Sequence, residues 1–190
     1  MKIGVLGPVY VNVKIDVEGS FDETGSNTGR ASTTYGSIFL TLAEALSDDN
    51  EVTFFTSLDT QAQVYILRKL RKHNINTDYI VHSDHGTGFN IEFTVGSEIK
   101  KIESACYLQP AVESIKLHED EIFNDIELMV ISNLNSEIIE LCRKHSVPVI
   151  WLTDKEDIDY LDDSDLPLAK QVKSFSFDDY SELLKEVASV

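Results

Sequence analysis

The sequence predicts an α/β fold: a largely parallel sheet flanked by helices, carrying a small antiparallel flap. Three observations lead there. Short continuous apolar runs at residues 2–6, 52–55, 128–132 and 147–152 read as strands buried on both faces, as parallel strands are. Segments with helical spacing separate these runs, and strands alternating with helices imply a parallel sheet. Two other segments alternate apolar and polar residues, the mark of half-exposed strands.

The elements follow in chain order. Residues 2–6 form a short buried strand that Gly7 and Pro8 close. Residues 9–17 place Val9, Val11, Val13, Ile15 and Val17 on one side, against Tyr10, Asn12, Lys14 and Asp16 on the other. Residues 19–34 are rich in Gly, Ser, Thr and Asn and are expected to be a loop. Ile38, Leu42, Ala45 and Leu46 give a helix over 37–46, and Ser47 to Asn50 end it. After the strand at 52–55, residues 60–73 form an amphipathic helix with Val64, Leu67 and Leu70 expected to face inward. A strand is expected at about 78–81. Residues 89–95 and 98–102 read as a hairpin turning at Gly96-Ser97. Its alternation of Ile91, Phe93 and Val95 with Asn90, Glu92 and Thr94 suits a flap better than a central strand. Residues 136–145 form a helix, 172–175 a further strand, and 178–187 a final helix.

Composition narrows the function. With 33 acidic against 16 basic residues, the net charge is −17, which repels nucleic-acid backbones and anionic membrane surfaces. Neither partner is expected. No stretch approaches the apolar length of a membrane span, and the opening apolar run is too short for a signal peptide, so a cytoplasmic location is expected. Cys106 and Cys142 lie outside any metal-ligand spacing and are expected to be buried, reduced thiols. His82 and His85 lack a third ligand and read as a solvated hinge. The acidic run at 154–165 lacks the glycine of a calcium loop and reads as a solvated face. Gly4 and Gly7 alone are too little for a dinucleotide fingerprint. No nucleophile elbow supports a triad of Ser132, His145 and Asp154. No metal and no cofactor is expected.

The order of elements resembles the N-terminal part of the ribokinase-type (pfkB-type) carbohydrate kinases. Ile3-Gly4-Val5-Leu6-Gly7 runs into a lid strand at 9–17, as the family's opening strand does. Tyr35-Gly36-Ser37 stands where a Gly pair opens the first long helix. Asn74-Ile75-Asn76-Thr77 is similar to the family's Gly-Val-Asp-Thr-like segment, and Thr87-Gly88-Phe89-Asn90-Ile91 to its second lid strand. Val147 to Leu152 matches the strand that usually ends in Asp. The resemblance implies one ribokinase-like domain over residues 1–190: three α/β/α layers, a mostly parallel sheet, and a β lid at about 9–17 and 88–104, truncated on its C-terminal side. It also implies a homodimer through the apolar face of the lid.

The resemblance assigns substrate contacts to Asn12, Tyr35 and Gly36, each with a consequence. Asn12 replaces a sugar-holding Asp; an amide still hydrogen-bonds a hydroxyl but brings no charge. Tyr35 replaces the first Gly of the pair, and its ring is expected to crowd the approach. Leu40 falls near the family's Asn, and Leu58-Asp59-Thr60-Gln61 replaces its Gly-Asp-Asp. The Asn-x-x-Glu that organises metal and phosphate falls at Phe177 to Tyr180, with neither residue retained. No glycine follows Gly96, so the family's Gly-Ala-Gly-Asp anion turn and its catalytic Asp are missing from this sequence. No catalytic residue is therefore assigned. The expected function is a non-catalytic protein binding a small polyol, sugar or nucleoside, or a protein partner. The alternative is a kinase piece whose ATP-binding half is supplied elsewhere.

Overall fold

The computed structural model describes residues 1–18, 29–132, 135–153 and 171–174. In chain order the elements are β1 (Lys2–Leu6), β2 (Tyr10–Val17), β3 (Gly29–Gly36), α1 (Ile38–Leu46), β4 (Glu51–Phe55), β5 (Ser57–Leu58), α2 (Thr60–Arg71), β6 (Val81–His82), β7 (Gly88–Val95), β8 (Glu98–Ser104), α3 (Gln109–Leu117), α4 (Glu119–Phe123), β9 (Leu128–Ile131), α5 (Ser136–Lys144), β10 (Val149–Thr153) and β11 (Gln171–Ser174).

Five strands form one parallel sheet in the order β11-β10-β9-β1-β4. Side-chain alternation divides its residues between two cores. Ile3, Val5, Val52, Phe54, Leu128, Val130, Ile150 and Leu152 pack with Phe39, Leu42 and Leu46 of α1 and Ala62, Ile66 and Leu70 of α2. Leu6, Phe55, Met129, Ile131, Val149 and Trp151 face Val112 and Ile115 of α3, Phe123 of α4, and Ile138 and Cys142 of α5. Helices thus cover both faces, giving the three α/β/α layers. The chain leaves β1 for β4 on one side and reaches β9, β10 and β11 on the other. Such a switch in strand order opens a crevice at the carboxyl ends of β1 and β9.

The lid is a four-stranded sheet, β3-β2-β7-β8, in which β2 pairs parallel to β7 and the other pairs are antiparallel. Its hairpin turns at Gly96, whose φ of +59° suits the first position of a tight two-residue turn.

Several local expectations are corrected. Residues 29–34 belong to β3, not a loop; the strand is polar and mostly exposed, so backbone pairing with β2 holds it without a hydrophobic pattern. Val9 lies in the core ahead of β2 rather than on the lid. On α2 the inward residues are Ala62, Ile66 and Leu70, with Leu67 half-buried and Val64 exposed. The strand expected at 78–81 reduces to the short β6, which pairs with β5. Helices α3 and α4 were not anticipated, although Pro110 in the first turn of α3 is a start signal. Residue 175 of the last expected strand, the expected helix at 178–187 and the acidic run at 154–165 lie outside the described residues. No helix among the described residues is long and apolar enough to cross a membrane.

Candidate functional site

Two of the three predicted site residues meet on the lid. Asn12 sits mid-strand in β2, in register with Thr34 of β3 and Asn90 of β7. Its Oδ1 accepts a hydrogen bond from Asn90 Nδ2 at 3.1 Å, and its own Nδ2 donates to the Gly36 carbonyl at 3.4 Å. This chain orients both amides without any charged group. Gly36 ends β3 just before Ser37, whose hydroxyl caps α1 by accepting the Leu40 N–H at 3.1 Å. The neutral cluster therefore lies beside a helix N-terminus.

The space beside Gly36, like that beside Gly96 at the hairpin turn, is open, unlike that beside Gly7, Gly86 and Gly88. A Cβ added at Gly36 meets nothing within 4 Å. At Gly7 it would strike the Phe39 side chain at 2.3 Å, at Gly86 the Ser57 backbone at 2.6 Å, and at Gly88 the Tyr10 ring at 2.6 Å. Those three glycines serve close packing, which gives Gly7 a role unconnected with any nucleotide. Gly36 instead borders open space.

Tyr35 goes elsewhere. Its side chain projects from the opposite face of β3 to Thr34, packs on the first core, and stacks on Tyr65 of α2 with ring centroids 4.9 Å apart. It neither touches the amide pair nor crowds it. Asn90 takes its place in the cluster. Its alternation with Glu92 on the polar face of β7 was the available signal, but its pairing with Asn12 spans 78 positions and required the lid register.

A groove of about 160 Å³ runs along this polar face, lined by Asn12, Lys14, Asn90, Glu92, Lys101 and Glu103 among others. Glu92 lies 3.4 Å from Lys14 and 3.8 Å from Lys101, so its charge is met on both sides. At the base of the lid, burial raises the pKa of both the Tyr10 phenol and the Cys106 thiol, keeping them protonated and neutral. At the Asn12 end of the groove the two amides and the Gly36 carbonyl are neutral hydrogen-bonding groups, an arrangement suited to hydroxyl recognition.

The replaced positions have structural tasks. Leu40 is fully buried in the first core and cannot reach a ligand. Asp59 caps α2, its Oδ1 accepting the Gln61 and Ala62 N–H groups at 2.8 and 2.9 Å. Its own N–H donates to Thr87 Oγ1 at 2.9 Å, which ties the start of α2 to the lid base. Ser132 is buried at the carboxyl end of β9, whereas His145 follows α5, which returns antiparallel to the strands, and so sits at the opposite end of the sheet. Cys142 is buried, its thiol pushed up to about 12 by burial, and Cys106 is half-buried; both are free.

The fold matches solved ribokinase-like kinases. A ribokinase from Cryptococcus neoformans, in complex with ADP, superposes with a TM-score of 0.69 at 11% identity, over 90% of this chain and 55% of that one. A nucleoside kinase from Burkholderia thailandensis, in complex with inosine, gives a TM-score of 0.63 at 15% identity, over 90% of this chain and 59% of the other. Arabidopsis thaliana ribokinase, complexed with ribose and ATP, gives 0.62 at 13% identity, over 98% and 68%. The chain thus spans roughly half to two thirds of these kinases. No protein-family model and no curated protein matches it.

Proposed function

We propose that this chain binds a small neutral polyhydroxylated molecule, a sugar, polyol or nucleoside, between Gly36 and the polar lid face, and that the residues described here do not transfer phosphate. The observation that carries the reading is the open space beside Gly36, flanked by the fixed amides of Asn12 and Asn90. Those amides offer donors and acceptors to hydroxyls, and the missing carboxylate predicts modest affinity. Ribose and inosine, found in the matched kinases, are the natural first probes. The non-catalytic part rests on Leu40 and Asp59, which serve packing and capping, and on the absence of glycine after Gly96. An ADP-release assay with ribose or adenosine and Mg-ATP tests it: no turnover above the no-enzyme control is expected. Turnover that survives repurification overturns this part.

The chain also pairs with a second copy through the apolar lid face. Phe89 and Ile102 lie on that face and are 39% and 52% exposed, a surface that one sheet leaves uncovered. The register places Ile99 on the opposite face, beside Thr94, so it adds nothing to the stripe. A second functional reading, a kinase portion completed by an ATP-binding half, is favoured by the length of the matched kinases beyond the span this chain covers. A Gly-Ala-Gly-Asp encoded in frame after Val190 supports it.

A further inference from the structure

The bases of this acidic chain are clustered. Against a net charge of −17, α2 carries Arg68, Lys69 and Arg71 in its last turn, and Lys72 follows as its C-cap. Tyr65, Arg68, Lys69 and Lys72 follow the i, i+3, i+4, i+7 spacing that puts residues on one side of a helix. With Thr33, Thr34 and Tyr35 of β3 they line a groove of about 600 Å³, within the range of small-molecule sites.

The groove has a fixed aromatic floor. Tyr35 is held by the first core, and Tyr65 stacks on it with planes 14° apart while remaining 62% exposed. A ring that is both anchored and open is a stacking platform. Lys69 lies 2.7 Å from Glu44 of α1, so its charge is already met and its stem is held in place. Arg68 and Lys72, one turn apart, have no ion-pair partner among the described residues. Two cations with no ion-pair partner among the described residues, beside an aromatic platform and the Thr33 hydroxyl, form a recognition set for one planar ring and one compact anion.

We propose that this groove binds a nucleoside monophosphate, its base on Tyr65, its phosphate between Arg68 and Lys72, and its sugar near Thr33. The charge balance favours a small ligand over an acidic protein segment or nucleic acid. A long polyanion meets the field of the whole acidic surface, whereas a single phosphate meets mainly the local pair. The site lies on the face of β3 that holds Tyr35, apart from the Asn12 cluster, and does not depend on the function proposed for that cluster.

Titration calorimetry of the full chain with AMP, adenosine, inorganic phosphate and an oligo-glutamate peptide tests the assignment. AMP is expected to bind better than adenosine or phosphate, and more weakly as salt rises. The exposed double variant R68A/K72A should weaken AMP by about tenfold or more, with an unchanged melting temperature showing an intact fold. Tyr65→Ala should abolish the preference of AMP over inorganic phosphate. Unchanged AMP affinity in R68A/K72A overturns the proposal. So does an absence of AMP binding at millimolar concentration, or tighter binding of oligo-glutamate than of AMP, which reassigns the groove to a protein partner.

Discussion

Leu40 shows how a single residue decides between a site and a core. By sequence order it falls near an Asn of the ribokinase-type kinases, and the structure buries it fully in the first core. An amide at this position is therefore placed in the first core rather than beside a ligand. We predict that Leu40→Asn lowers unfolding free energy by roughly 2–5 kcal/mol, combining a lost apolar side chain with an unpaired buried amide. Urea denaturation measures this; a loss under about 1 kcal/mol would mean the side chain is not packed as described. Gly36 is the converse case. Its glycine is not required by packing or by a positive φ, so Gly36→Ala should leave the melting temperature unchanged or slightly higher, as expected for adding a Cβ to a strand without a clash. A drop of several degrees in a thermal melt would show that the space beside Gly36 is filled.

At the scale of elements, legibility followed the source of stability. The strands of the central sheet and helices α1 and α5 are readable because burial imposes continuous apolar runs on the strands and helical spacing on the helices. β3 was not, because an exposed edge strand is held by backbone pairing and its residues carry no pattern. On α2 the spacing reveals the helix but not its face: Val64, at an apolar position of the pattern, is exposed, while Ala62 and Ile66 occupy the core. Asn90 is readable as part of a lid strand, yet only the parallel register of β2 with β7 sets it against Asn12. The lid and the α4–α5 corner each support a prediction. Lysine substitutions at the exposed Phe89 and Ile102 should give a soluble monomer where the wild type sediments as a dimer. A wild-type chain that is monomeric at tens of micromolar ends the lid-dimer reading. At the corner, Glu119 meets Lys144 Nζ at 2.6 Å and His145 Nε2 at 2.7 Å, and these hydrogen bonds hold its carboxyl below the usual range. A carboxyl with a lowered folded pKa stabilises the fold above its unfolded value, near 4.3, and that contribution disappears as pH falls through the folded value. Glu119→Gln should thus melt slightly below wild type at pH 7 and converge with it in acid. A gap that persists or widens at low pH contradicts this origin.

The whole molecule joins a three-layer core to a lid in an arrangement shared with kinases only 11–15% identical to it. The fold class was legible because alternating buried strands and amphipathic helices admit few architectures. The candidate site was only half legible: Asn12 and Gly36 come together, Tyr35 turns to α2, and the open space beside Gly36 exists only in three dimensions. The central claim is that this space is a ligand pocket walled by neutral amides. Its most direct test is titration calorimetry of ribose and inosine into the wild type, Asn12→Ala and Gly36→Val, each without nucleotide. The account predicts that at least one ligand binds the wild type with modest affinity, weakens several-fold with Asn12→Ala, and is excluded by Gly36→Val while that variant stays folded. A ligand that binds all three proteins equally well would place its site elsewhere and contradict the claim.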